Sequence, residues 1–472
     1  MKKRIIALLC LLALAIAMVA SGCQGKVVAY KRGTPLQVNK MTVRGIPEDQ
    51  FYVSGFIGPQ NFYAGVGYSL PSLLTDETYA KLQEAGINNI WETSMNFDES
   101  STATPKALEI AAKYGITYYM SHPLTNFEFE DSNTQGEFVE LPTAEELADA
   151  LKELLEKHPN IAGIHLRDEP TSNLFPKLTE AVQVIEGARE ILGEETLQPG
   201  INAFPGVGWN QLSNGTNPEM NWEKYLRGIC DTGIDYLSFD AYPFTNVPGE
   251  IQSTWLNALG TMNRISDEYG IPFCVWIQCG GGLPAFSTSH RVVNEGEMNY
   301  NVGSVVAFGA KGIGYYTLVT PAFWALQDES TVNNDSLLNK YGSKTPFYYY
   351  AQKINAQLHA MAPVINNAAH EGIMIDNLDS PNVYTGDDIL ESYRCFKGWS
   401  GDSALIGCFD YEGTVMLVVM NNSIENHHAV ITLEFDNNYE YEVTQRAQVD
   451  TISGKEFSLH LEAGEFAMVV VK

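Results

Sequence analysis

His158-Pro-Asn-Ile-Ala-Gly-Ile-His-Leu-Arg-Asp-Glu-Pro170 follows directly on an amphipathic helical pattern and holds one short apolar run, Ile161–Leu166. It then delivers Asp168 and Glu169 side by side, immediately before Pro170. Proline cannot donate to a sheet ladder, so the strand is expected to stop there, with both carboxylates at its carboxyl end. In an α/β barrel that end carries the catalytic groups. The competing reading is a strand end closed by an ion pair with Arg167, and the rest of the chain has to choose between them.

Working outward, the same helix-then-strand unit recurs on both sides. Phe51–Gly58 alternates like a first strand, and a helix beginning at Thr75 stops at Gly86 before the β-like Ile87–Trp91. The helix 105–113 feeds the strand Ile116–Met120, which finishes at His122-Pro123. The helix Thr143–Lys157 feeds the strand ending in Asp168-Glu169, and Leu174–Leu192 feeds Gly200–Pro205. The pairs then run Trp222–Cys230 to Asp235–Pro243, Trp255–Tyr269 to Pro272–Gln278 and Asn294–Phe308 to Gly312–Thr317, with a last helix over Phe347–Met361. About eight such units over roughly 310 residues predict a closed (β/α)8 TIM barrel. A doubly wound dinucleotide-binding sheet would need a glycine-rich phosphate turn after the first strand, and the sequence has none there. Beyond Ile373 the helical period disappears, and short alternating runs at 404–409, 414–420, 428–435, 440–446 and 466–471 predict a small antiparallel β-sandwich. The expected boundaries are 48–368 for the barrel and 369–472 for the sandwich.

The amino terminus is read separately. Lys2, Lys3 and Arg4 precede an apolar run from Ile5 to Ala20 and then Ser21-Gly22-Cys23, the pattern of a secretory signal over residues 1–22. The cysteine after Ala-Ser-Gly resembles a bacterial lipobox, which implies lipidation at Cys23. Residues 23–47 would then be a tether, and the protein would be held on the outer face of the bacterial cell membrane by its lipid alone. Without residues 1–22, 26 basic residues face 57 acidic ones, a formal balance of −31. So negative a surface argues against nucleic acid and anionic lipid as partners and leaves neutral ligands such as carbohydrate. Cys230, Cys274, Cys279, Cys395 and Cys408 are odd in number and too scattered for a disulfide framework or a zinc site; Cys395 and Cys408 could pair, but buried free thiols are the preferred reading. No metal or cofactor is expected.

Strand ends would bring Glu92, His122, Asp168, Glu169, Asn202, Asp240, Tyr242, Gln278 and Tyr316 toward one barrel mouth, with Trp91, Trp209, Trp276 and Trp324 near them in sequence. Sugar rings stack on aromatic faces, and their hydroxyls need charged or amide partners, so this composition suits a glycan. For the tryptophans, core packing competes, above all for Trp276 inside its apolar strand.

His-Pro-x-Ile-x-Gly followed by Asp168-Glu169-Pro170 resembles the fourth-strand signature of the TIM-barrel glycoside hydrolases of the large Glu/Glu clan, in which an Asn-Glu pair supplies the acid/base. Asp240-Ala-Tyr242-Pro243 is similar to the sixth-strand motif of related bacterial proteins. Gln278, Glu297 and Gly309-Ala-Lys-Gly312-Ile-Gly-Tyr-Tyr316 resemble their seventh and eighth units, and Leu461–Val470 the last strand of their appended β-sandwich. The resemblance implies a glycoside hydrolase acting on an extracellular oligo- or polysaccharide, with Glu169 as general acid/base. One departure stands out: the clan's nucleophile is a Glu at the end of strand seven, where this chain has Gln278. Asp240, Asp168 and Glu297 are the candidates for a second carboxylate. Adjacent strand residues point to opposite sides, which disfavours Asp168 beside Glu169, and Glu297 is expected on a helix, so Asp240 is preferred. Trp91, Glu92, His122, Asp168, Asn202, Tyr242, Gln278, Glu297, Tyr316 and Trp324 are the expected substrate contacts. The rival function is a glycan-binding protein on a barrel that has lost catalysis, with Gln278 as the sign of that loss. A transporter's solute-binding lipoprotein fits less well, because it has two open lobes.

Overall fold

The computed structural model describes residues 37–61, 63–65, 68–96, 103–122, 124, 141–206, 220–245, 247, 249–280, 290–320, 335–376 and 383–472. The side chains of 63–65, 68–69, 92–96 and 103 are outside this description, as are the expected lipid site Cys23, Trp209 and Trp324. Eight parallel strands close into a barrel: β1 (Tyr52–Phe56), β4 (Asn89–Asn96), β5 (Thr117–Ser121), β6 (Ile161–Asp168), β7 (Gln198–Ala203), β8 (Leu237–Asp240), β9 (Phe273–Gln278) and β10 (Gly312–Tyr316). Each strand pairs with the next in chain order, and β10 returns to β1. A short hairpin, β2 (Tyr63–Gly65) and β3 (Tyr68–Leu70), leaves the top of β1.

The connecting helices are α1 (Asp76–Glu84), α2 (Ala103–Lys113), α3 (Ala144–Lys157), α4 (Phe175–Leu192), α5 (Trp222–Cys230), α6 (Trp255–Tyr269), α7 (Glu295–Ala307) and α8 (Pro346–Ile365). Their ends are written in local chemistry. Thr143 accepts from the Glu146 N–H at 3.2 Å, and the Glu146 carboxylate accepts from the Thr143 N–H at 2.8 Å, closing a capping box on α3. Leu147, Leu151, Leu154 and Leu155 of that helix are buried against the sheet, and Pro159 prevents it from running on into β6.

The barrel interior is aromatic. Trp91 and Trp276 stack with ring centroids 4.9 Å apart and planes 5° from parallel. Tyr52, Phe56, Tyr119 and Tyr236 complete the same cluster. Rings this large fit because neighbouring strands present glycine: a Cβ on Gly200 would stand 2.6 Å from Trp91, and one on Gly314 2.2 Å from Trp276. The core below the mouth is therefore solid, and ligand access is confined to the top.

Residues 37–47, expected as the end of a tether, instead pack on the bottom of the barrel. Val43 enters the interior cluster, and Arg44 pairs with Glu194 at 2.8 Å while donating to the Ile161 carbonyl at 3.0 Å.

The carboxyl-terminal part is an antiparallel sheet of seven strands: β11 (Ala369–Ile375), β12 (Phe396–Gly401), β13 (Ala404–Tyr411), β14 (Thr414–Asn421), β15 (Ala429–Gln445), β16 (Gln448–Leu461) and β17 (Phe466–Val471). It is sandwich-like through curling. A register shift between Glu434 and Tyr439 breaks β15, whose first half pairs with β12 and second half with β17. One face closes around Ile406, Leu417, Val419, Phe435 and Tyr441; the other, with Phe409, Met416, Val418 and Met468, joins the core of the barrel helices. Cys395 and Cys408 are both buried thiols and form no disulfide with one another.

Candidate active site

Strand β6 ends at Asp168, and the next residue leaves the strand geometry. Glu169 has φ +45°, a left-handed conformation that a long side chain rarely adopts. It is held there from two sides: its N–H donates to the Asn202 carbonyl on β7 at 2.8 Å, and the Tyr225 hydroxyl donates to the Pro170 carbonyl at 2.8 Å. The alternation used to separate Asp168 from Glu169 stops at this residue. Both carboxylates act on Asp240, and the objection to their facing one site falls away. Residues held in such backbone conformations concentrate at functional sites.

Asn202 is the joint of the cluster. Its Nδ2 donates to Asp168 at 3.0 Å and to Asp240 at 3.1 Å, while Ser238 donates to its Oδ1 at 3.1 Å and fixes the amide's orientation. Asp240, at the end of β8, is 8% exposed. Loss of water raises the pKa of Asp240, and the Asp168 charge adds to this; hydrogen bonds from Asn202 and Glu169 work the other way. The Glu169 carboxyl is pushed well up by burial, then by the charges of Asp240 and Asp168 and by its hydrogen bond to Asp240. Two buried acids that raise one another in this way do not ionise independently, so the pair gives up its protons in two separate steps.

Aromatic residues wall this cluster. Tyr242 and Tyr316 lie 5.5 Å apart by ring centroid, and Phe56 is 5.7 Å from Tyr316. His290 stands edge-on to Tyr242 at 6.2 Å. The three carboxylates push the hydroxyl pKa of both tyrosines up, after burial. Both rings therefore stay neutral donors beside the carboxylates.

Other expected contacts are placed elsewhere. Trp91 is fully buried, 0% exposed, and is core beneath the site rather than a sugar platform, because Gly200 lets its ring into the barrel. Gln278 ends β9 as expected, but both ends of its amide are used on backbone: Oε1 accepts from Phe244 N–H at 3.3 Å and Nε2 donates to the Arg291 carbonyl at 2.9 Å. Glu297 is buried in the capping box of α7 with Asn294 and is paired with Arg291 at 2.6 Å, so it is a structural anion and faces no substrate. His122 is buried at the end of β5, where loss of water lowers its pKa to about 4 and keeps it neutral. The backbone of Glu92 lies in β4 and its side chain is outside the described residues.

Ser238, Tyr225 and His290 belong to the site and were not singled out from sequence. Ser238 could have been found, since it stands two residues before Asp240 on the same strand face. The other two come from a helix and a loop and carry no local signal. Among the described residues no group of three or more His, Cys, Asp or Glu side chains is arranged to hold a metal ion, and no helix is long and apolar enough to cross a membrane.

No protein-family model and no curated protein matches the chain. Solved structures do. A family 39 glycoside hydrolase from the gut symbiont Bacteroides cellulosilyticus WH2 is similar over 90% of this chain and 82% of its own, with TM-score 0.51 and 13% identity. An Anoxybacillus alpha-amylase is similar over 90% of this chain and 98% of its own, with TM-score 0.51 and 11% identity. At these identities the likeness is one of fold: a closed eight-stranded parallel barrel followed by an antiparallel sheet.

Proposed function

We propose that this protein is a glycoside hydrolase that cleaves an O-glycosidic bond of an oligo- or polysaccharide, with Glu169 as proton donor and Asp240 as nucleophile. The observation that carries the reading is the cluster of Glu169, Asp168 and Asp240, the two aspartates joined through Asn202, at the carboxyl end of the barrel beside Tyr242 and Tyr316. Glycoside cleavage needs one protonated and one ionised carboxyl group, and burial plus mutual repulsion supplies both near neutral pH. Asp240 attacks the anomeric carbon while the glycosidic C–O bond breaks and Glu169 gives its proton to the departing oxygen. Water, deprotonated by Glu169, then releases the sugar from Asp240. A nucleophilic Asp240 implies the retaining course, in which the two carboxyls stand about 5–5.5 Å apart. The leader and Cys23 motif support export and lipid anchoring, which globomycin sensitivity and acyl labelling would test.

Reducing-sugar release from a glycan panel tests the activity. Glu169→Gln is expected to lose several orders of magnitude on poor leaving groups and much less on activated aryl glycosides, which need little protonation. Equal losses on both would remove Glu169 from the acid role. A second reading has one observation behind it: Gln278 stands where the resembling clan keeps its nucleophile, as in a barrel that binds glycans without cutting them. Glycan binding with no turnover by the wild type would establish it.

A further inference from the structure

We infer that Arg291 is a positioning residue for this site: it fastens the loop that follows Asp240 to helix α7 and, through α7, to the carboxyl-terminal sheet. The inference rests on Asp240 being one of the reacting carboxylates.

The segment in question follows Asp240 and is described at Ala241–Thr245, Val247, Gly249 and Glu250; it carries Tyr242. Arg291 Nη1 donates to the carbonyls of Thr245 at 2.6 Å, Val247 at 2.9 Å and Glu250 at 2.9 Å. Its backbone N–H donates to the Phe244 carbonyl at 3.3 Å, and its own carbonyl accepts from Gln278 at 2.9 Å. The guanidinium lies 5.3 Å from the centre of the Phe244 ring. His290, its neighbour in the chain, bridges to Thr245 and packs on Tyr242. The sixth-strand loop is thus gripped at Tyr242, Phe244, Thr245, Val247 and Glu250 from one short segment and from Gln278.

The other end of the grip is Glu297, 2.7 Å from Arg291 Nε and locked into the first turn of α7 by its capping box. A cavity of about 210 Å3 at this point is lined by Gly249, Arg291, Asn294 and Glu297 from the barrel and by Ile424 and Glu425 from the sheet. A guanidinium suits the place because its planar fork can serve three carbonyls and a carboxylate at once, whereas a lysine is a point charge on a flexible stem. With the loop held down, Asp240 stays shielded from water, 8% exposed. With it loosened, water reaches Asp240 and the carboxyl returns toward its ordinary range. Arg291 thereby acts on the chemistry without touching sugar.

The test compares Arg291→Met, Arg291→Lys and the control Glu295→Gln, a residue of α7 whose exposed carboxylate pairs with Lys353 of α8. Three quantities are read in the full chain: hydrogen exchange of residues 241–250, the side-chain carboxyl titrations of Asp240 and Glu169 by NMR, and kcat and KM on a glycan that the wild type hydrolyses. Arg291→Met is expected to speed exchange in 241–250 and to lower the pair's titration midpoints by about one unit or more. It should also cut kcat at least tenfold with KM little changed. Arg291→Lys should fall between, and Glu295→Gln should match the wild type. If the methionine variant fails to fold, the lysine variant alone decides. Wild-type exchange and titration in a folded Arg291 variant would overturn the inference. A wild type that hydrolyses nothing would sink the proposed function, while exchange and titration would still decide the role of Arg291.

Discussion

Glu169 is held through the backbone of its turn, by the Asn202 carbonyl on its own N–H and by the Tyr225 hydroxyl on the Pro170 carbonyl. Its positive φ turns its carboxyl toward Asp240, and the strand end supplied by Pro170 makes that turn possible. The sequence makes the two acids and their strand end legible, because Pro170 and the apolar run before them are local signals. It does not disclose that they face one site, since the period-two rule assumes that the strand continues. Gln278 presents the reverse case. Its position is legible, but its work is set by Phe244 and Arg291, backbone partners from two other segments. Gln278→Glu should therefore not restore a clan-like nucleophile. A carboxylate cannot donate to the Arg291 carbonyl, and the unpaired buried group costs about 1–3 kcal/mol. Thermal denaturation is expected to show a lower Tm with no gain in hydrolysis. Faster turnover in this variant would return the nucleophile to strand seven.

At the scale of elements, α7 joins the site to the sheet. Its amino end carries Glu297, and its outer face carries Gly296 and Gly303, seven residues apart and so on one side of the helix. Gly464, in the turn between β16 and β17, sits against this face with φ +64°. A Cβ there would stand 2.3 Å from the Gly296 carbonyl oxygen and 2.4 Å from the Tyr300 nitrogen. Gly464→Ala should cost about 2 kcal/mol or more, through backbone strain and a forced separation of turn and helix. Chemical denaturation would read this as a lower midpoint at unchanged slope, and wild-type stability would contradict the docking described. Helices and strands were legible here because their caps and periods are local. The curl of the sheet was not: it depends on a register shift within β15, and the alternating pattern continues on both sides of it.

For the whole molecule, the barrel count follows from repetition, while the closing of its bottom by residues 37–47 does not. That segment is polar and basic with no period, and its partners Glu194 and Asp267 lie far along the chain. The aromatic interior was likewise hidden, because it requires glycine on one strand and a large ring on the next. The buried acids set how the molecule responds to pH. Glu169 and Asp240 have folded pKa values raised above their unfolded ones. Their proton uptake therefore favours the fold at low pH, and this contribution is lost as pH rises from the ordinary carboxylate range near 4 through the raised values. Asp240→Asn, which cannot ionise, is expected to have a higher Tm than wild type at about pH 9, with the difference shrinking toward about pH 4. A Tm difference independent of pH would mean that these carboxyls titrate normally.

The central claim is that Asp240 attacks the sugar while Glu169 protonates the leaving oxygen. A panel of 2-deoxy-2-fluoroglycosyl fluorides, which slow release of a glycosyl-enzyme, addresses it directly when followed by mass spectrometry of the digested protein. The account predicts one added sugar on the peptide bearing Asp240 and no labelling in Asp240→Asn. Sugar attached to any other carboxylate, or turnover of an ordinary substrate with inverted anomeric configuration, would contradict it.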